Sequence, residues 1–211
     1  MKAFIDEAHR RSSMVLFDVV YNHFGPLGNN LPDIRPIFTT KHKSPRGEEI
    51  NFDGLRFDAV HTIVDDTPTH ILELLAARIR ASPPHRHTHL IVENSDNQEV
   101  LLRPNSSAEP VHYTAQWNDD VHHLLHAAAT GENTRYYADF DDFEGRSSML
   151  GRALAEEFAY QGEMKPHAGM KRDEPSGGLP ATSFVVYMQD HDQVGNRVKG
   201  DGLPNWRPAM R

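Results

Sequence analysis

Three carboxylates stand at the ends of separate apolar runs: Asp58 in GLRFDAVH, Glu93 in LIVEN and Asp192 in VVYMQDHDQVGNR. A fourth run, MVLFDVVYNH, ends in Asn22 and His23. Acidic side chains brought to one face by several strands can do what hydrolysis of a sugar acetal requires, with one as nucleophile, one as proton donor and one as stabiliser of the charge on the ring. Arg56 precedes Asp58 by two, and on a strand such residues share a face, so a guanidinium is placed to keep that carboxylate ionised. Each residue also fits a plainer role. Arg56 and Asp58 suit a strand-end ion pair, Glu93 a helix cap, Asp192 a turn carboxylate capping the next helix, and His23 a structural position.

The elements that must position these groups can be read from periodicity. Residues 2–11 place Phe4, Ile5 and Ala8 on one helical face, and residues 14–20 form an apolar run of strand length. From Gly25 to Gly54 the chain is rich in Pro, Gly and charge and reads as a loop. Residues 54–60 are a second strand. Thr67-Pro68 opens a helix carrying Ile71, Leu72, Leu75 and Ile79, which Ser82-Pro83-Pro84 ends. Residues 90–92, 112–117 and 184–188 are further strands, with a short helix near 100–102 and longer ones at 118–131 and 148–160. In the 118–131 helix, Asn118 or Asp119 is the cap and Gly131 the stop. Strands alternating with helices imply an α/β domain with a parallel sheet.

Composition narrows the classes. At 211 residues one domain is expected, and a formal charge of −8 argues against a nucleic-acid partner. Without cysteine there is neither a disulfide framework nor thiol chemistry. No run approaches a membrane span and the N-terminus lacks a secretory pattern, so the expectation is a cytoplasmic chain without a membrane partner. Fourteen histidines invite a metal reading. His87 and His89 fall at the start of their strand, away from the face where barrel chemistry sits, and the His122/His126 pair lacks the intervening glutamate of HExxH. No metal and no cofactor are expected.

The four motif-bearing runs, in this order, resemble the conserved regions of the alpha-amylase superfamily of glycoside hydrolases. DVVYNHFGPLGNNLP, INFDG, DAVHTIVDDTPTHIL, HYTAQWNDDVHHLLHAAATGE and QDHDQVGNR make the chain most similar, within it, to the family of maltooligosyltrehalose trehalohydrolases. The resemblance implies a partial (β/α)8 TIM barrel, strands three to seven, spread over residues 1–211 as one domain. It implies Asp58 as nucleophile, Glu93 as general acid and base, and Asp192, paired with His191, as stabiliser of the sugar ring. It further implies substrate contacts from Asn22, His23, Arg56 and His61, with Trp117, Asn118 and Asp119 on the leaving-group side, although Trp117 fits a core position equally well. The ligand would be maltooligosyltrehalose or a related alpha-glucan.

The chain departs from the family's pattern in three places. Ser95 stands where an acidic residue is usual, Asp190 where an Asn is usual, and INFDGLRFDAV fuses two FDG segments, so that the helical crossover before strand four is expected to be missing. Strands one, two and eight have no counterpart, and the isolated chain is expected to show little activity. Two rival readings remain at this point, another alpha-glucan-acting enzyme of the superfamily and a sugar-binding remnant without catalysis. The oligomeric state is open.

Overall fold

The computed structural model describes residues 1–21, 52–81, 87–140, 146–171 and 174–195. Its strands are β1 (Leu16–Val19), β2 (Gly54–Phe57), β3 (His89–Glu93), β4 (Ala115–Trp117), β5 (Met164–Lys165), β6 (Met170–Lys171) and β7 (Phe184–Val185). The helices are α1 (Lys2–Arg10), α2 (Ile71–Arg80), α3 (Asp119–Thr130), α4 (Arg146–Glu156) and α5 (His191–Gly195). Five strands form one sheet in the order β1-β2-β3-β4-β7, every pairing parallel, and β5 and β6 form a separate antiparallel hairpin. The parallel sheet with helical crossovers is the α/β architecture of the expected partial barrel. The expected loss of the crossover before β2 falls mostly on residues 22–51, outside the described residues.

The register places the chemistry. Asp18 pairs with Arg56, Arg56 with Ile91, and Glu93 with Trp117, so adjacent parallel strands deliver their last residues to one edge. Gly54 allows β2 to enter the sheet, because a Cβ there would lie 2.0 Å from the His89 carbonyl oxygen and 2.8 Å from Leu16 Cδ2. Behind the sheet, Phe57, Leu90, Val92 and Phe184 pack with Leu72 and Ala76 of α2, the two fully buried positions of that helix. A second cluster joins α3 to α4 through Val121, Leu124, Ala127 and Ala153.

Several boundaries move inward for identifiable reasons. The helix expected from Thr67-Pro68 begins at Ile71, since Asp65 accepts from the amides of Thr67 (3.0 Å) and Ile71 (2.5 Å) and holds the intervening residues as a turn. The strand expected over 112–117 keeps only residues 115–117. Tyr113 is buried instead against α2, its hydroxyl donating to the Leu72 carbonyl at 3.0 Å. α3 matches its expected limits, with Asn118 accepting from Val121 N at 3.2 Å and Gly131 taking the left-handed φ of 73°.

Candidate active site

Arg56 lies on β2, Asp58 stands just past its end, and β3 ends in Glu93. The Arg56 side chain is buried and makes the cluster one unit. Its Nη1 donates to Asp18 Oδ1 (2.9 Å) and Asp58 Oδ1 (2.6 Å), and its Nη2 donates to Glu93 Oε2 (2.7 Å). The face of the guanidinium lies 4.4 Å from the centre of the Trp117 ring. A planar fork seated over an indole has little rotational freedom, so the three carboxylates it holds are fixed relative to one another.

Glu93 is the carboxyl of the cluster best placed to retain a proton near neutrality. Burial pushes its carboxyl up to about 7, and the neighbouring charges of Asp119 and Asp58 act in the same direction against the Ala59 amide and Arg56. Both of its described donors, Arg56 Nη2 and the Ala59 amide at 3.0 Å, fall on Oε2, which leaves Oε1 as the oxygen to carry a proton. Asp58, only partly buried and held by Arg56 two residues earlier in the same segment, is placed as an oriented anion. One carboxyl that retains a proton near neutrality beside one fixed as an anion is the division of labour that acetal hydrolysis with a covalent intermediate needs.

Trp117 and Asp119 flank this pair. Asp119 is raised to about 6, first by burial and then by Asp120 and Asp190, and the Tyr187 hydroxyl donates to it. Tyr187 is held in turn by Trp117, ring centres 5.2 Å apart, and by His122, stacked at 5.2 Å and 10°. The apolar run VVYM gives no sign that its tyrosine serves a carboxylate, because strand-end aromatics more often pack in cores. The only sequence cue is its place four residues before His191. Asp120 is a second group that the motifs conceal, bound to Asn97 Nδ2 (3.3 Å) and the Ala159 amide (2.9 Å).

The expected site residues do not all converge. His191 and Asp192 lie in the first turn of α5, the His191 Nε2 to Asp192 Oδ1 distance is 3.5 Å, and the His191 ring stands 6.4 Å from Trp117. The His191 ring thus reaches toward the Arg56 cluster through Trp117, whereas the described bonds of Asp192 run to its neighbours His191 and Asp190. Asn118 is fully buried and turned away from the opening. It caps α3 and donates through Nδ2 to the Glu157 carbonyl at 2.6 Å, the helix-cap role its type also allowed. His61 accepts from the Ser95 amide at 3.2 Å and, with Asp119, borders a cleft of about 510 Å³. Asn22 and His23 lie outside the described residues.

Among the described residues no group of three or more potential ligands could hold a metal ion. His122 is engaged with the Met188 carbonyl at 2.6 Å and His126 with Glu132 at 2.9 Å, while His87 and His89 pack ring to ring at 4.5 Å. Nor is any described helix long and apolar enough to cross a membrane.

No protein-family model matches the chain. Curated relatives named malto-oligosyltrehalose trehalohydrolase do. Those from Saccharolobus solfataricus (35% identical), Arthrobacter ramosus (36%) and Mycobacterium tuberculosis (36%) are matched over 94%, 95% and 94% of the chain. The chain spans only 38–39% of their length. The aligned stretches cover 225–227 positions, more than the 211 residues available, so the relatives hold residues within the matched region that this chain skips. The 1.4 Å crystal structure of a protein assigned as an alpha amylase from Salmonella typhimurium superposes with a TM-score of 0.84 at 42% identity, covering 96% of this chain and 38% of that one.

Proposed function

We infer that this chain, related over nearly its whole length to part of the malto-oligosyltrehalose trehalohydrolases, carries a retaining glycosidase site for alpha-glucans. The finer reading is hydrolysis of the alpha-1,4 bond beside the terminal trehalose of maltooligosyltrehalose, with release of trehalose. One observation carries it: a single buried guanidinium holds Asp58 and Glu93 from adjacent strand ends, with Glu93 titrating near 7.

In this reading Asp58 attacks the anomeric carbon as Glu93 passes its proton to the departing glycosidic oxygen, giving a glycosyl ester on Asp58 and a free leaving sugar. Glu93, now ionised, takes a proton from water, and the resulting attack frees Asp58 and restores the original anomeric configuration. Asp192 and His191 would bear on the ring carrying positive charge. The alpha-amylase assignment of the solved relative favours a second reading, a related alpha-glucan hydrolase. The two differ in product and not in the carboxylate pair.

The test follows maltooligosyltrehalose by proton NMR, with the 211-residue chain and with an intact relative bearing the same residues. Trehalose should appear together with a glucan end of the alpha configuration. Asp58→Asn should lower turnover by at least about a thousandfold, and Glu93→Gln should spare the first step on aryl glycosides with good leaving groups. Inverted product, or internal cleavage of starch without trehalose, overturns the finer reading.

A further inference from the structure

We propose that Ala59 is a positioning residue for the acid carboxyl: its left-handed backbone takes the amide that follows Asp58 out of the sheet ladder and aims it at Glu93 Oε2, so that the opposite oxygen, Oε1, holds and delivers the proton. This rests on the function proposed above and adds what selects the oxygen and which residue types that place accepts.

The sheet register dictates where that amide would otherwise go. The Asp58 amide donates to the Val19 carbonyl of β1 at 3.0 Å, so the backbone polar groups of Phe57 and Ala59, on either side of it, face β3. Phe57 pairs with Val92, and continuing the strand by two residues would give the Ala59 amide to the main chain at Glu93. β2 stops instead at Phe57, Ala59 takes φ 38° and ψ 50°, and its amide donates to the Glu93 side chain at 3.0 Å. The facing amide of the β3 segment is redirected as well. Ser95, which would bond the β2 segment at this level, donates to His61 Nδ1 at 3.2 Å. The last rungs of the ladder are thus exchanged for side chains of the site.

A residue with a side chain is costly in the left-handed region and persists there only where its surroundings over-determine it. Here they do. Val60 is buried in the same core cluster as Phe57 and Val92, which anchors the turn from below. From above, the Ala59 carbonyl accepts from the Thr62 hydroxyl at 2.8 Å and the Thr62 amide at 3.1 Å. With Arg56 Nη2 already 2.7 Å from Glu93 Oε2, the Ala59 amide is a second donor on that same oxygen, and together they favour negative charge there. A methyl group is tolerated at φ 38°, whereas a β-branched side chain would crowd its own backbone and drive the residue towards the extended form.

The titration of the Glu93 carboxyl carbon is followed by NMR in the 211-residue chain, which reads the site without turnover and so fails or succeeds separately from the hydrolysis assay. In Ala59→Val the amide turns away, and Glu93, without a donor that favours its ionised form, should titrate about one pH unit higher. Ala59→Gly reaches the same backbone conformation without a Cβ and should keep the parent midpoint. Thr62→Val removes the exposed hydroxyl that holds the turn, should fold, and should raise the midpoint in the same direction, so it decides the matter if Ala59→Val unfolds. Arg56, Asp58, Asp119 and Tyr187 also face Glu93, and all four stay unchanged in these variants. A midpoint unmoved in folded Ala59→Val, or in Thr62→Val where the first variant does not fold, overturns the proposal. So does a glycine variant displaced as far as the valine one. A shifted midpoint beside a failed hydrolysis assay supports the role of Ala59 and removes the reaction proposed above.

Discussion

At the scale of single residues, the site turns on where one proton resides. The native state holds Glu93 protonated up to about pH 7, whereas an unfolded chain releases that proton near 4.5. Between those values the folded state binds more protons than the unfolded one, so stability falls as pH rises. The contribution is whole below about 4.5 and gone above about 7, and amounts to about 3 kcal/mol from the width of that window. Asp119, raised from 3.8 to about 6, adds a fall of the same sign over a lower window. Urea melts at pH 5 and 8 should show this loss, and Glu93→Gln should flatten the part between pH 6 and 8. An unchanged slope in that variant would place the titrating group elsewhere. The Arg56–Asp58 pair was legible because residues two apart on a strand share a face, whereas the bond from Arg56 to Glu93, 37 positions away, left no local mark. Tyr187 was not legible either, because its partner Asp119 lies 68 positions away in sequence and no local pattern records the contact.

At the scale of elements, the proposed catalytic pair is only as well placed as the contact between β2 and β3. Gly54 pairs with His89 of β3, whose carbonyl oxygen lies where a side chain would begin. Gly54→Ala must push β2 from β3, and Arg56, two residues along, would lose alignment with Glu93. Thermal or denaturant unfolding should register a loss of about 3 kcal/mol, the upper range for overpacking, and the Glu93 titration should move with it. A variant of wild-type stability would show that β2 can shift without cost. The longer helices could be read because an apolar stripe at 3.6-residue spacing survives any tertiary context, as at Leu72 and Ala76 or Val121 and Leu124. The β5–β6 hairpin could not. Two residues per strand leave no alternation to detect, and Lys165 enters the interior because Asp120 lies there. The start of α2 was misplaced because the Asp65 turn outcompetes Thr67-Pro68 as a cap.

At the scale of the whole molecule, the described sheet is open. β1 pairs with β2 and β7 with β4, and neither has a second partner strand among the described residues. Strands of a parallel sheet are ordinarily buried on both faces, yet on β1 Leu16 is 39% and Phe17 42% exposed, and just past β7 Val186 is 52% and Met188 50% exposed. Unpaired backbone flanked by apolar side chains is a template for another chain. Closure into a barrel leaves no local mark in a sequence, since each strand reads alike whether or not its neighbour is present. The consequence for the 211-residue chain is self-association through these edges. Light scattering should show mass rising with concentration, and Phe17→Lys, which places charge on the β1 edge away from Arg56 and Glu93, should shift the distribution towards monomer without moving the Glu93 titration. A chain that stays monomeric at high concentration and unfolds in one cooperative step would show that both edges are covered in solution.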